Sequence, residues 1–149
     1  MQLSARRPAP ALLDLGIAVT RLVRTHAART RPAGLTLVEL RALGAVDADP
    51  GLLLKDLALV LGLTPATTSR LAARLVRREL VDRHADPADA RAARFRLTRT
   101  GAAALARALR TLEAVLDTRL AGLSAADRQA IVRVARRVLP ALALHGAPR

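Results

Sequence analysis

Cysteine is absent from this 149-residue chain, which excludes a disulfide scaffold, a thiolate zinc site and any thiol-based redox sensor. Tryptophan and tyrosine are absent too, and Phe95 is the one aromatic residue, so no cage of rings can stack a ligand. The three histidines, His26, His84 and His145, lack metal-ligand spacing, and neither a metal nor a cofactor is expected. Long hydrophobic runs are missing. The longest uncharged stretch, residues 57–69, contains Gly62 and Pro65 and falls far short of the roughly twenty residues of a membrane span. The basic N-terminus is interrupted by Asp14 and has no leader-like apolar region, so the expectation is a soluble, cytoplasmic protein with no membrane partner. No nucleophile–base pair, glycine-rich phosphate loop or coupled carboxylates can be found, and an enzyme is not expected.

Apolar residues make up 52% of the chain, much of it alanine and leucine, while strand-favouring side chains are scarce. That composition predicts a mainly α protein, and the length suits a single domain, residues 1–149. Basic residues number 25 against 12 acids, for a net charge of +13, and Lys55 is the only lysine. Such an excess goes beyond what solubility needs and implies a polyanionic partner, nucleic acid first. A genome that writes arginine and alanine freely is the competing explanation, but the acids have not risen to match. Residues 65–99 hold nine arginines and four acids, an excess of five. The other residues carry an excess of eight, so basicity is spread along the chain.

Residues 1–9 read as a flexible arm. From Pro10, a residue suited to a first helical turn, Leu12, Leu15, Val19, Leu22 or Val23, and His26 share one helical face, until Pro32 and Gly34 stop the segment. Thr36 and Glu39 have capping-box spacing at the head of a second helix with Leu37, Leu40 and Leu43 inward. Residues 47–51 form a turn, 52–54 a candidate short strand, and "KDLALVLG" a short helix ended by Gly62. Thr64 then caps a new helix with Pro65 at its first position and Thr68, Leu71 or Ala72, and Leu75 facing the core. Two helices separated by Gly62-Leu63-Thr64 read as helix-turn-helix.

The next segment distinguishes this from an ordinary helical hairpin. Residues 80–84 and 93–97 are candidate strands about a turn-rich "ADPADA", with Phe95 and Leu97 on one side and Arg94 and Arg96 on the other. A hairpin in that position is a wing. Thr98 can cap a long helix to about residue 121, striped by Leu105, Leu109, Leu112, Leu116 and Leu120. Ser124 and Asp127 open a last helix expected to bury Ile131, Val134, Ala135, Val138 and Leu142, with Pro140 kinking or ending it.

The pieces "LTLVELRAL", "KDLALVLGLTPATTSRLAARL", "LVDR", "DPADAR" and "LTRTG" together resemble the MarR (multiple antibiotic resistance regulator) family of winged helix-turn-helix transcription factors. The resemblance implies a winged helix-turn-helix over residues 35–100, flanked by dimerisation helices at 10–31 and 102–144. It also implies that Arg91 enters a minor groove while Asp89 orients the wing tip. Narrow A·T-rich minor grooves concentrate negative potential, so an inserted guanidinium is physically sensible. Two positions depart from the family pattern. Glu79 replaces the usual glycine after the recognition helix, implying either a strained left-handed residue or a longer helix. Ala90 replaces the first arginine of the wing tip.

The N-terminal half of a recognition helix enters the major groove. Pro65, Ala66, Thr67, Ser69, Arg70, Ala73 and Arg74 fall on its outward face. Arg70 is the candidate for a bidentate guanine contact, and Ala66 for a thymine methyl. Thr67 and Ser69 can donate to base or phosphate, while Arg74, Arg77 and Arg78 suit phosphates, as does Arg94 or Arg96 on the wing. For Arg77 and Arg78 a solvated face is the competing reading.

One such helix covers too few base pairs to find an operator, so a homodimer on a pseudo-palindromic double-stranded site is expected, with half-sites about 34–36 Å apart. Its interface candidates are Leu12, Leu15, Val19, Leu112, Leu116, Ile131 and Val138. The expected function is a sequence-specific transcriptional regulator, a repressor relieved by a small-molecule effector, against the alternative of a non-specific architectural DNA-binding protein. The effector's identity and site are not written in the residues. His26 faces either such a pocket or an interface.

Overall fold

Local capping decides where most elements begin. The computed structural model describes residues 8–89 and 92–142, and among these it has helices α1 (Pro8–Thr30), α2 (Leu37–Ala48), α3 (Leu54–Leu61), α4 (Pro65–Arg77), α5 (Arg99–Leu120) and α6 (Ala125–Leu142), with strands β1 (Leu52–Leu53), β2 (Val81–Ala85) and β3 (Ala93–Leu97). The protein is thus mainly α with a small wing, a winged helix-turn-helix flanked by N- and C-terminal helices. Two compact units, Met1–Leu112 and Glu113–Arg149, part within α5.

In the first unit, the Thr36–Glu39 capping box forms as expected. Glu39 N donates to Thr36 Oγ1 at 3.3 Å, and Glu39 Oε2 accepts from Thr36 N at 2.8 Å. Gly62, at φ 67°, ends α3 in the left-handed conformation that favours glycine. Thr64 caps α4, where its Oγ1 accepts from Thr67 N at 3.3 Å. The three strands form an antiparallel sheet ordered β1-β3-β2, in which Leu52 pairs with Phe95 and Val81 with Leu97. Alternation along β3 buries Ala93 and Phe95 and turns Arg96 to solvent. Leu35, Leu43, Val46, Leu57, Leu75 and Val81 form the fully buried centre. Each such side chain contributes about 1.5–3 kcal/mol on removal from water.

Four details differ from the sequence reading. Helix α1 begins at Pro8 rather than Pro10, while residues 1–7 of the expected arm lie outside the described residues. On α5 the inward row is Gly101, Ala104, Leu105, Ala108 and Leu112, and Leu109 is exposed. Leu105 and Leu112 of the expected stripe are thus buried, and Gly101, Ala104 and Ala108 join them in place of Leu109, because small residues permit a closer approach of the helix. In the second unit, Ile131 and Val134 are exposed rather than buried, and Val138 is half-buried. Pro140 does not end α6, which runs to Leu142; the last residues of the expected 102–144 helix region, from 143 on, lie outside the described residues.

Thr98 and Gly101 have separate duties at the head of α5. Thr98 Oγ1 accepts from Gly101 N at 2.9 Å and donates to Glu79 O at 2.6 Å. It therefore caps α5 and clips the chain leaving α4. A Cβ at Gly101 would overlap the Leu80 carbonyl, so this glycine is required by close backbone approach. Glu79 resolves the earlier alternative in favour of strain. It sits at φ 55°, just beyond α4, with Leu80 N donating to Leu75 O at 3.0 Å in the manner of a Schellman end.

Two substitutions test these backbone demands by urea denaturation. Gly101→Ala should cost about 3 kcal/mol, the upper end of overpacking, because the overlap is with backbone that cannot rotate away. Glu79→Gly should add about 0.5–1 kcal/mol, the left-handed penalty on a Cβ less glycine's larger chain entropy.

Candidate nucleic-acid interface

Helix α4 has a strongly two-faced sequence. Thr68, Leu71, Ala72 and Leu75 are buried. The buried Thr68 hydroxyl donates to Thr64 O at 3.0 Å, so a polar group sits in the core without an unmet hydrogen bond. Pro65, Ala66, Ser69, Arg70, Ala73, Arg74 and Arg77 are exposed, and Thr67 is half-buried. At the exposed end, Thr64 Oγ1 donates to Thr67 Oγ1 at 3.0 Å, and Arg70 Nη2 reaches the same Thr67 oxygen at 3.5 Å. The cap thus extends into a short polar chain that ends on the guanidinium of Arg70.

One carboxylate, not expected in this role, governs the other end of α4. Glu39 is only 3% exposed, yet its Oε1 accepts from Arg74 Nε at 2.9 Å and from Arg78 Nη1 at 3.0 Å. Its Oε2 accepts from both Thr36 N and Thr36 Oγ1, the latter at 2.9 Å. Arg78 Nη2 also donates to Gly34 O at 3.2 Å. Arg74 and Arg78, expected on phosphates, each bond α2 or the loop before it and remain partly exposed. The sequence disclosed Glu39 as a capping residue only, because a pairing across 35 positions leaves no local pattern. Arg77 is exposed as well.

The wing is fixed in a similar way. Asp86 is buried, and its Oδ1 accepts from Ala88 N at 2.7 Å and Asp89 N at 3.2 Å. Its Oδ2 accepts from Arg94 Nε at 2.6 Å, and Arg94 Nη1 donates to Gly51 O at 3.0 Å. Gly51 N returns a bond to Phe95 O at 2.9 Å. Arg94, expected on a phosphate, also belongs to the wing's internal frame, because its Nε and Nη1 face a buried carboxylate and a backbone carbonyl. Arg96, the alternative weighed beside it, is exposed and stands opposite Asp82 in the ladder. Asp86 supplies the side-chain acceptor for the turn, while the carbonyl of Asp89, the expected orienting residue, accepts from Ala92 N at 2.9 Å. Arg91 and Ala90 lie outside the described residues.

The interface candidates have mixed positions. Leu12, Leu15, Val19 and Ile131 are at least a third exposed, and Leu116 is half-buried. Leu112 is buried in the core of the first unit. His26 is half-buried, and its Nε2 is the buried side-chain atom without a hydrogen-bond partner among the described residues.

Burial alone pushes the Glu39 carboxyl up, but hydrogen bonds from Thr36 and Arg78 more than offset it and hold the group below its ordinary value of 4.5. The Ala88 N–H, with Arg94 and Asp89 N–H, outweighs burial at Asp86 and holds it below 3.8. Both folded values are depressed, so the stabilisation is complete above pH 4.5, erodes below it, and is gone once pH falls through the folded values. Thermal melts between pH 7 and 3 should show that Asp86→Asn lowers neutral stability and shrinks the loss on acidification.

Residues 33–92 match the model of the MarR family. No curated protein matches the chain. Among solved structures, PcaV, a transcriptional regulator from Streptomyces coelicolor in complex with its natural ligand, is 28% identical over 95% of this chain and 97% of its own, with a TM-score of 0.57. MarR is 22% identical over 90% and 96%, with a TM-score of 0.68. A mutant of S. aureus MepR bound to an oligodeoxyribonucleotide is 20% identical over 91% and 98%, with a TM-score of 0.59. At those identities the last two speak for fold alone. Together with the exposed, capped helix beside a framed wing, these likenesses support a DNA-binding transcriptional regulator, and the chain resembles the MarR family in sequence across its helix-turn-helix and in fold along most of its length.

Proposed function

We propose that the protein is a homodimeric, sequence-specific transcriptional regulator, a repressor whose hold on its operator is relieved by a small molecule. The observation that carries this reading is the N-terminal face of α4. Pro65, Ala66, Ser69 and Arg70 are exposed on a helix whose opposite side is buried, and the Thr64–Thr67 chain meets Arg70 there. A guanidinium in that place matches the two acceptors on a guanine edge, and the small neighbours let the helix backbone approach base edges. Thr67 and Ser69 serve as donors beside it, and Arg77 and Arg96 meet phosphates. Arg91 is proposed for the minor groove on the family resemblance.

Self-association is supported by the large apolar side chains that α1 leaves exposed, among them Leu12, Leu13, Leu15, Ile17 and Val19, which a soluble monomer rarely displays together. Two readers on a two-fold axis would then span a pseudo-palindrome. The ligand in PcaV and the oligodeoxyribonucleotide on MepR favour the same two kinds of partner here. An effector that hydrogen-bonds His26 Nε2 would satisfy the orphaned buried atom. No described helix is long and apolar enough to cross a membrane, and action on chromosomal operators places the protein in the cytoplasm.

Selection of binding sites from random duplexes should return a palindromic consensus, with a preference of ~10³ or more over random DNA. A flat profile would favour the architectural alternative. On the selected site, Arg70→Ala should cost about 1–3 kcal/mol and relax one base position per half-site. Sedimentation at micromolar concentration should give a mass of two chains, and Leu15→Glu should shift it to one.

A further inference from the structure

We infer that Glu39 sets the electrostatic strength of duplex binding by α4: its buried carboxylate binds Arg74 Nε and Arg78 Nη1, cancels part of their charge and restricts their reach, so that the helix offers phosphates less than its arginine count suggests. The inference rests on the reading of α4 as the element that enters DNA. Arg74 stands one turn beyond Arg70 on the same side of α4, where a docked helix meets the sugar-phosphate backbone rather than base edges. Without a partner it would be a general phosphate contact, as the sequence suggests.

The geometry restrains it through Nε, while the side chain stays 47% exposed. Both arginines converge on the single oxygen Oε1 of Glu39, at 2.9 Å from Arg74 Nε and 3.0 Å from Arg78 Nη1, while Oε2 is occupied by Thr36 N and Oγ1. Arg78 is turned further from solvent-side partners by its bond to Gly34 O. Moving Arg74 to a phosphate would exchange a buried carboxylate partner for an exposed, salt-screened one, and would leave a buried charge short of a donor. The three groups together present one net positive charge instead of two. Phosphate contacts strengthen binding to every sequence alike, so restraining them lowers affinity for operator and random DNA together and leaves the ratio between them to the base contacts.

The test is a salt series of binding titrations on the selected duplex and a scrambled one, with the full-length parent, Glu39→Gln, Arg74→Gln and the double variant. Glutamine can keep the oxygen that accepts from Thr36 in the capping box, while it removes the charge and sets an NH2 donor in place of the oxygen that accepts from both arginines. Glu39→Gln should steepen the slope of log K against log salt by about 0.9 for each phosphate gained. It should also tighten the selected and the scrambled duplex by similar factors, several-fold each. Arg74→Gln should leave the parent's slope unchanged and cancel the increase in the Glu39→Gln background, a coupling that a purely structural Glu39 would not generate.

A Glu39→Gln slope equal to or shallower than the parent's overturns the inference. So does a loss of about 0.9 from the parent's slope on Arg74→Gln, since Arg74 would then already be on a phosphate. Should Glu39→Gln not fold, that second arm decides alone. A parent that binds no duplex overturns the reading of α4 and this inference with it. A parent that binds its selected site while the slopes stay fixed overturns the inference alone.

Discussion

The constraint on which the rest of the structure depends is the need to compensate one carboxylate. Glu39 is nearly removed from solvent, and an uncompensated charge there would cost several kcal/mol. Four donors meet it, two from Thr36 at the head of α2 and two from arginines at the far end of α4. This single group therefore performs a local task, starting α2, and a long-range one, fixing how α4 lies against it. The apolar side of α4 sets which residues face inward, but leucines in a core tolerate sliding and small rotation. Charge-assisted hydrogen bonds have tighter directional demands, so the Glu39 contacts set the register that packing leaves soft.

The same device recurs at the wing. Asp86 gathers Arg94 and two backbone N–H groups of its own turn, and Arg94 continues to Gly51 beside β1. Two buried acids thus engage three of the arginines that a charge count would assign to phosphate. Net charge overstates the contact surface accordingly. The positive charge outside these pairs lies on side chains such as Arg70, Arg77 and Arg96, which are exposed on α4 and β3. Partition of the arginines into framing and contacting sets matters for a DNA reader, because contacts that do not discriminate among bases raise binding to every competing site.

What could be read from the sequence was what operates within three or four residues. The Thr36–Glu39 box, Gly62 after α3, Thr64 with Pro65, and Thr98 before α5 all declare themselves through short spacings, and the alternation around Phe95 marks β3. The MarR-like order of these parts then supplied the fold. What was hidden depended on distant partners. Nothing near Arg74 announces Glu39, and nothing near Arg94 announces Gly51, 43 positions earlier. On α5 the leucine spacing marks Leu105 and Leu112, but not Ala104 and Ala108, which fit where the helix approaches closely.

That alanine-lined approach bears on how so bulk-poor a core holds a reading helix in place. Phe95 is the one large ring in the first unit, and much of the remaining packing comes from leucine, valine and alanine. Small side chains fill less space, so elements must come nearer to leave no void, and Gly101 against the Leu80 carbonyl is the closest expression of this. Leu80 directly follows Glu79, whose carbonyl is held by the Thr98 hydroxyl, and directly precedes β2. The end of α4, the start of the wing and the head of α5 are therefore joined by backbone contact within a few residues. A displacement of α5 at its head would be passed to α4 and to β2 together, because no compressible side chain lies between them. In such a framework, a movement at the head of α5 need not deform the core to reach α4 and β2.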